Sequence, residues 1–594
     1  MTSSVQQAID FHQAGNLIEA ERLYRAILAE TPDNPDALAL FGVLLDGKGE
    51  HERAVELIGK ATKLDPKTPL FQLQLGNALM NLKRTDEAIA VFRNAAALQP
   101  TLSEAHYNIG NALRRIDDWK GAIASYCEAV RLNPGYAQAY NNLALALVHE
   151  KQYDEALIQA KKAVAVAPNF GEGWLTLCNV AEKCGDYVLA AQAGEHNIRL
   201  LPDNYRSWFG YGVALNRLHR HEEAIPLYKR SLELQPDRAD IWDNLAQTYQ
   251  SLLRLDEAEA TFRKSIELAG QAIPDEDKRE VAEEEYGNRH WHLALMELLR
   301  GKYKQGFARY RSRFREVEGL VRPKMDKPLW KGEDLKGKVI LIHGEQGFGD
   351  TLMFARYLPL IKAQGGIVKF SAHPALEELF RNWPVVDEVI PYGPAMLGYH
   401  YYASVFDLPH RFRTTLETIP ADVPYLPLLQ PNENTRLSGD GRPKIGVVWG
   451  GSPLHKNDLH RSIPLNLFSK LFEETGAQFY SLNRDLKPGD AELLPKYSVI
   501  DLASRIKNFA DATRIIGQLD LLITCDTATA HLAGALGKPV WTLITFSPDW
   551  RWMIGRDDSP WYPTMRLFRQ PKGGDWESVI NHVQQELELC SFFK

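Results

Sequence analysis

At 594 residues the chain exceeds what one hydrophobic core organises, so two or more domains are expected. Apolar residues form 45% and charged residues 24%, and the net charge of −7 gives no general attraction to nucleic acid or anionic membrane. No apolar run approaches the roughly 18–20 residues of a membrane helix, so membrane insertion is not expected. The opening Met1-Thr-Ser-Ser-Val-Gln-Gln-Ala has no basic start ahead of an apolar stretch. Cysteines 127, 178, 184, 525 and 590 form no CxxC pair. Both features predict reduced thiols and a cytoplasmic location.

The first half is periodic. Pro32, Pro66, Pro100, Pro134, Pro168, Pro202 and Pro236 are each 34 residues apart, and Ala20 through Ala258 recur with the same step. Within one unit, Tyr107, Gly110 and Leu113 share a helical face, Asp117-Asp118-Trp119 reads as a turn, and Ala122, Ile123, Tyr126, Ala129 and Val130 line a second helix. Pro134 ends it, because it lacks an amide hydrogen and disfavours helix just before it. A single hairpin cannot bury its apolar face, but stacked hairpins can. The pattern resembles the tetratricopeptide repeat, with a small residue at position 8 (Gly42, Gly76, Gly110, Ala144, Gly212, Ala246), Ala at 20 and Pro at 32. Eight repeats are expected over residues 1–272. The sixth departs with Cys178 at position 8, and the eighth with Gly270 where proline is expected. An acidic linker from Pro274 to Glu285 and a degenerate ninth hairpin from Trp291 to Phe314 are placed in residues 273–320.

In this repeat family the first helix of each pair lines the concave groove. Asn77, Asn108, Asn111, Asn142, Asn179 and Asn244 fall on such helices. An amide donates and accepts hydrogen bonds, so spaced amides can hold an extended peptide. The set is similar to the asparagine ladder of eukaryotic protein O-GlcNAc transferases. Pairing of these amides between neighbouring repeats is the alternative.

After a linker at Val321-Arg-Pro-Lys-Met-Asp-Lys-Pro the period disappears, and a self-sufficient α/β module is expected from about Lys331. Lys338–His343, Gly344–Asp350 and Thr351–Ala363 read as strand, glycine turn and helix, the opening of a Rossmann-like unit. Further strands are expected at 367–370, 386–390 and 404–408, completing a half over 335–435. A second half over 443–590 has strands at 444–449, 477–482, 499–501, 519–524 and 540–544 and a closing helix at 576–589. The expected fold is thus an α-solenoid followed by a GT-B-like double Rossmann module.

Gly347-Phe-Gly-Asp350-Thr-Leu resembles the N-terminal loop of family 9 glycosyltransferases, the heptosyltransferase family. Asp526-Thr527-Ala-Thr-Ala-His531 through Pro539 resembles that family's nucleotide-diphosphate motif. The segments Trp449-Gly-Gly-Ser452 through Lys456 and Arg461, and Pro548-Asp-Trp-Arg-Trp552, resemble bacterial fusions of these repeats with this transferase, some of which glycosylate flagellin. The resemblance covers about 335–590. The N-terminal half is shorter than in lipopolysaccharide heptosyltransferases.

The resemblance implies Asp350 as general base, with a helix N-cap as its alternative role. Gly347 and Gly349 permit close approach to substrate. Asp526, Thr527 and His531 open a helix whose amides suit a phosphate, unless His531 is a packed core residue. Lys456 and Arg461 are candidate counter-charges or solvated surface; Ser452 belongs to the same donor set, and Ser481 and Asn483 are candidate ribose or base contacts. Trp550 and Trp552 suit a sugar platform or aromatic packing. No metal-ligand cluster or cofactor motif stands out; the sugar nucleotide is a co-substrate. The expected activity is metal-independent, inverting O-glycosylation of a protein such as flagellin, recruited by the repeats. A cell-surface polysaccharide or lipopolysaccharide transferase and a catalytically silent scaffold are the alternatives.

Overall fold

The computed structural model describes residues 3–270, 289–313, 325–345, 347–391, 398–451, 458–472, 476–487 and 489–589. The chain forms two compact units, Met1–Asn244 and Leu245–Lys594.

The first unit is a stack of helical hairpins, beginning with Ser3–Gln13 and Leu17–Glu30 and reaching Tyr205–Arg217 and His221–Leu234. At Gly42, Gly76, Gly110 and Gly212, position 8 faces position 24 of the same repeat. A Cβ at Gly76 would lie 2.3 Å from the Phe92 ring, and one at Gly110 would lie 2.6 Å from the Tyr126 ring, so glycine is required by close helix crossing. Cys178 is buried in the sixth repeat, where position 24 is Gly194 instead of an aromatic residue. The turn between the paired helices has a left-handed residue at 15, 49, 83, 117, 151, 185 and 219. At each, the next amide donates back to a carbonyl five residues earlier, as from Arg84 to Leu79 at 2.9 Å. This is the bond pattern of a Schellman helix stop. Between repeats, the Trp174 and Trp208 indoles each donate to a carbonyl six residues earlier, that of Pro168 or Pro202, at 2.7 Å.

The second unit begins with the rest of the Ala239–Ser251 helix and contains Leu255–Leu268 and two parallel sheets. The four-stranded sheet has β1 (Val339–His343), β2 (Ile367–Ala372), β3 (Glu388–Pro391) and β4 (Tyr401–Ser404) in the order β3-β2-β1-β4. The six-stranded sheet has β5 (Lys444–Val448), β6 (Gln478–Ser481), β7 (Ile500–Asp501), β8 (Leu521–Cys525), β9 (Val540–Ile544) and β10 (Met565–Arg569) in the order β10-β9-β8-β5-β6-β7. Read from β5, this is the doubly wound order, with its reversal between β5 and β8. In the smaller sheet the reversal lies between β1 and β4.

Two strand expectations change. The strand placed at 404–408 ends at Ser404, whose hydroxyl caps a 3-10 turn over Val405–Asp407; Pro409 then opens the short helix Leu408–Arg411. β10 was not anticipated, because Arg566 and Arg569 give its sequence a polar appearance. The C-terminal helix Trp576–Leu589 packs on β10 and on the segments Leu465–Phe468 and Ser469–Phe472.

The ninth hairpin exists, as His290–Leu299 and Tyr303–Arg309 followed by a 3-10 turn at Tyr310–Ser312. It is a structural part of the α/β module. Leu298, Tyr303, Phe307 and Tyr310 share one core with Phe354, Phe406, Trp550 and Trp561. The Trp561 indole donates to the Tyr303 hydroxyl at 3.1 Å, and Arg313 is buried between Glu345 at 2.6 Å and Asp407 at 3.0 Å. The expectation of a self-sufficient module from Lys331 is therefore revised, since that start would remove these groups. The acidic linker lies outside the described residues. Among the described residues no helix is long and apolar enough to cross a membrane.

Candidate functional site

The carboxyl ends of β1, β5, β6, β8 and β9 open on one cavity of about 570 Å³, lined by Gly347–Asp350 on the first-sheet side and mainly by residues 448–551 on the other. This is where parallel α/β sheets place ligands, because strand order reverses there and loops diverge.

On the first-sheet side, β1 leads into Glu345, whose two carboxylate oxygens accept from the buried Arg313 guanidinium, at 2.6 and 2.9 Å; the Ser404 hydroxyl also donates to it. The loop is thus held from below. Gly347 has φ of 102° and is the N-cap of the helix Phe348–Phe354. A Cβ there would sit strained and 2.9 Å from the Asp350 carboxylate. Asp350 lies in the first turn of that helix with its side chain directed to Arg551, with which it forms an ion pair. Its alternative role as N-cap is therefore overturned. Gly349 brings this helix against Ala528–Ala535: a Cβ would lie 2.7 Å from the His531 ring.

On the second-sheet side, β8 leads into Asp526, and Thr527 is the N-cap of Ala528–Ala535 without a side-chain bond to the helix amides; its hydroxyl is 3.1 Å from that of Thr524. The first helix amides and their partial positive charge are thus left without that cap beside the cavity. Arg461, from the short helix Asp458–Arg461, bonds the Asp526 carbonyl at 3.2 Å and lines the same space. Arg484 and Lys507 add positive charge, and Phe348 and Phe509, with ring centroids 5.1 Å apart, form an apolar wall.

The other expected residues divide. Asn483 reaches the lining, but its amide oxygen accepts from the Trp449 and Gly450 amides at 3.2 and 3.0 Å, so it fixes the β5 loop. Ser481 is fully buried at the end of β6 and is not in the lining; the donor contact expected of it is corrected to support of Asn483 at 3.4 Å. Ser452 and Lys456 lie outside the described residues. The His531 ring is stacked on Trp552 at 5.1 Å and bonded to the Tyr562 hydroxyl at 3.0 Å. Burial, with the nearby Arg551 and Arg356 charges, holds its pKa well below the usual value, so it is neutral. Trp550 and Trp552 are buried in the core, which corrects the sugar-platform alternative.

The motif containing those tryptophans holds two residues that sequence reading passed over. Arg551 extends over the Trp550 ring at 4.5 Å and pairs with Asp549 at 2.5 Å as well as with Asp350. Burial opposes its charge, but the two carboxylates raise its pKa well above the ordinary value. Burial raises the pKa of Asp350, and Arg551 works against that rise. Asp526 is pushed up to about 6 by burial and the charge of Asp549, against Arg551 and Arg461. Among the described residues no group of three or more His, Cys, Asp or Glu side chains is arranged to hold a metal.

On the repeats, the expected ladder residues bond largely to one another. Asn108 donates to Asn77 at 3.2 Å, and Asn142 donates to Asn111 at 2.9 Å and to the Tyr107 hydroxyl at 3.2 Å. Asn244 donates to the Asp240 carbonyl of its own helix at 2.9 Å, and Asn179 is exposed. The inter-repeat alternative thus accounts for Asn77, Asn108, Asn111 and Asn142 in this structure. Tyr107, Asn111, Arg114, Arg115, Trp119 and Asn142 line an open groove.

Family models described as tetratricopeptide repeats match residues 11–75, 107–170 and 203–271, and one described as TPR repeat matches 76–117. A curated relative, Protein FlbA of Caulobacter vibrioides, is 28% identical over 335 residues, which are 50% of this chain and 55% of that protein; the chain thus spans about half the length of the curated relative it matches. Among solved structures, MamA is 26% identical, with a TM-score of 0.26, over 27% of this chain and 93% of that one. YrrB, a TPR protein with an unusual peptide-binding site, is 20% identical, with a TM-score of 0.28, over 31% and 95%. Pseudomonas aeruginosa pilF is 23% identical, with a TM-score of 0.32, over 34% and 93%. Residues 11–170 and 203–271 therefore carry tetratricopeptide repeats, joined in the same chain to a module built on two parallel sheets.

Proposed function

We propose that the α/β module is a GT-B glycosyltransferase and that the repeats recruit its protein acceptor. The observation that carries this reading is that Asp350 and the N-terminus of Ala528–Ala535, on helices packed against each other, line one cavity at the strand reversals. In the proposed reaction an acceptor hydroxyl passes its proton to Asp350 as its oxygen bonds to the anomeric carbon of the sugar. The bond from that carbon to the phosphate oxygen breaks, and the nucleotide leaves with the electron pair. Attack from the face opposite the leaving group inverts the anomeric centre. The amides after Thr527, with Arg461, stabilise the departing charge. Phe348 and Phe509 offer an apolar surface for the nucleotide base. Neutral His531 contributes shape and hydrogen bonding rather than charge.

The protein acceptor rests on the repeat array, and flagellin is the first to test because of the resemblance of the motifs to flagellin-modifying fusions. A silent scaffold is the competing reading, and the ion pair between Asp350 and Arg551 is the observation in its favour.

Purified chain incubated with a panel of UDP-, GDP-, dTDP- and CMP-sugars and with flagellin should release nucleotide and add a sugar mass to the acceptor. Asp350→Asn should lower turnover by roughly 10²–10⁴ with little change in nucleotide affinity by calorimetry. Absence of nucleotide release and of any mass change across the panel would favour the scaffold. Near-normal turnover in Asp350→Asn would remove Asp350 as the base.

A further inference from the structure

The base and its strongest electrostatic partner come from different parts of the module. Asp350 is carried by the helix after β1, and Arg551 by the 3-10 turn Trp550–Trp552 that follows β9. We propose that Arg551 is the positioning residue for Asp350, its guanidinium fixing the orientation and charge state of that carboxylate; this rests on the reading of Asp350 as the base.

Three features of the geometry support the assignment. The Arg551 side chain is 11% exposed, so its bonds are made largely out of water. It is held independently of Asp350, by its ion pair with Asp549 at 2.5 Å, by its own amide donating to Asp549 at 3.0 Å and by the Trp550 ring beneath it. It therefore presents a fixed donor to Asp350 instead of following it. Gly347 leaves no space for a side chain on the other side of the Asp350 carboxylate.

The remaining groups around Asp350 cannot replace Arg551. Asp549 and Glu345 carry negative charge, Tyr310 is a neutral phenol whose pKa burial raises, and the His531 ring packed on Gly349 is neutral. Asp526 adds a further carboxylate to the same cavity, and the other cations there, Arg461, Arg484 and Lys507, form no ion pair with Asp350 among the described residues. A buried carboxylate surrounded by carboxylates tends to take up a proton, and a protonated carboxyl cannot act as a base. Arg551 opposes that and, by pairing with one carboxylate oxygen, leaves the other for the acceptor proton.

The test is a direct titration of Asp350 in the full chain labelled with [4-¹³C]aspartate, with the resonance assigned by its loss in Asp350→Asn. Arg551→Gln should move the Asp350 midpoint upward by about one pH unit or more, and Arg551→Lys should return most of that shift. Asp549→Asn should move the midpoint downward, because it removes a negative neighbour and a competitor for the guanidinium. The acid limb of nucleotide-sugar turnover should move with the midpoint in each variant. An unchanged midpoint in folded Arg551→Gln overturns the proposal. If Arg551→Gln does not fold by circular dichroism, Arg551→Met, which keeps the aliphatic stem over the Trp550 ring without the charge, decides: an upward midpoint upholds the proposal, and an unchanged one overturns it. Failure of the underlying base assignment shows separately, as retained turnover in Asp350→Asn.

Discussion

Three carboxylates, Asp350, Asp526 and Asp549, lie around one buried guanidinium, and their different surroundings separate their behaviour. Asp526 holds its proton up to about pH 6 in the folded chain, against 3.8 in an unfolded one. The folded state binds that proton more tightly. Its stabilising contribution is therefore present below pH 3.8 and is lost as pH rises to about 6. Asp526→Asn, which cannot ionise, should melt at a higher temperature than wild type at pH 7.5 and at nearly the same temperature at pH 4. Scanning calorimetry at the two values checks this, and an equal shift at both would exclude the linkage. Asp350, Thr527 and His531 could be picked out from sequence because each sits in a motif where a strand gives way to a helix. Asp549 and Arg551 could not, because their importance comes from a contact across the cavity, and in the sequence they alternate with two more conspicuous tryptophans. The asparagines show the opposite limit: their register identifies a helix face, but residue type does not say whether an amide on it meets a peptide or the next repeat.

Among the repeat elements, the 34-residue step located the helices because proline and alanine mark positions set by sterics. It did not reveal how the turns close. Left-handed residues recur at that step, but glycine occupies only 15, 49 and 185 of the positions from 15 to 219; Lys83, Asp117, Lys151 and His219 adopt positive φ with a side chain present. Such a conformation costs an L-residue roughly 1–2 kcal/mol, and the extra unfolded-state freedom of glycine offsets about half of that. Lys83→Gly and Lys151→Gly should thus each stabilise the protein by about 0.5 kcal/mol, and together by nearly the sum, because they lie in separate repeats. Thermal and urea melts followed by circular dichroism provide the measurement; a lowered midpoint would show that the side chains make compensating contacts. The sixth repeat packs differently. Cys178 stands at the position usually held by glycine or alanine, and Gly194 stands where other repeats carry Phe92 or Tyr126; the space beside Gly194 is taken by Tyr211 of the next repeat, whose side chain a Cβ would meet at 2.7 Å. In the α/β module, strands with continuous apolar runs were legible. β4 was displaced by a serine-capped turn that periodicity cannot register, and β10 was concealed by its arginines.

For the chain as a whole, the change of pattern after the repeats suggested a module beginning near Lys331, yet its core includes Tyr303, Phe307 and Tyr310 from the hairpin before it. A fragment of residues 245–594 should fold cooperatively and bind a nucleoside diphosphate. A fragment of residues 331–594 should lose the burial of Trp550, Trp561 and Phe406 against that hairpin and leave Glu345 and Asp407 without Arg313. It should show weak near-ultraviolet dichroism, an early melt and poor nucleotide binding by calorimetry, since stranding buried charges costs several kcal/mol. Equal melting temperatures for the two fragments would show the hairpin to be dispensable. If the repeats recruit the acceptor, the 245–594 fragment should still release nucleotide slowly from a sugar nucleotide but modify protein acceptor far less than the intact chain.

The grip of Arg313 on Glu345 also bears on how such a chain can be assembled in evolution. A crossover placed at the conspicuous change of composition, between the hairpin and β1, would give a recombinant whose sheets retain their strands but whose loop ahead of Asp350 has lost its anchor. A crossover upstream of the hairpin would transfer the loop and its anchor together. The heritable unit of the proposed transferase is therefore larger than the α/β fold by one helical pair, and any natural or engineered exchange of repeat arrays that preserves its fold should keep His290 to Arg313 with the sheets.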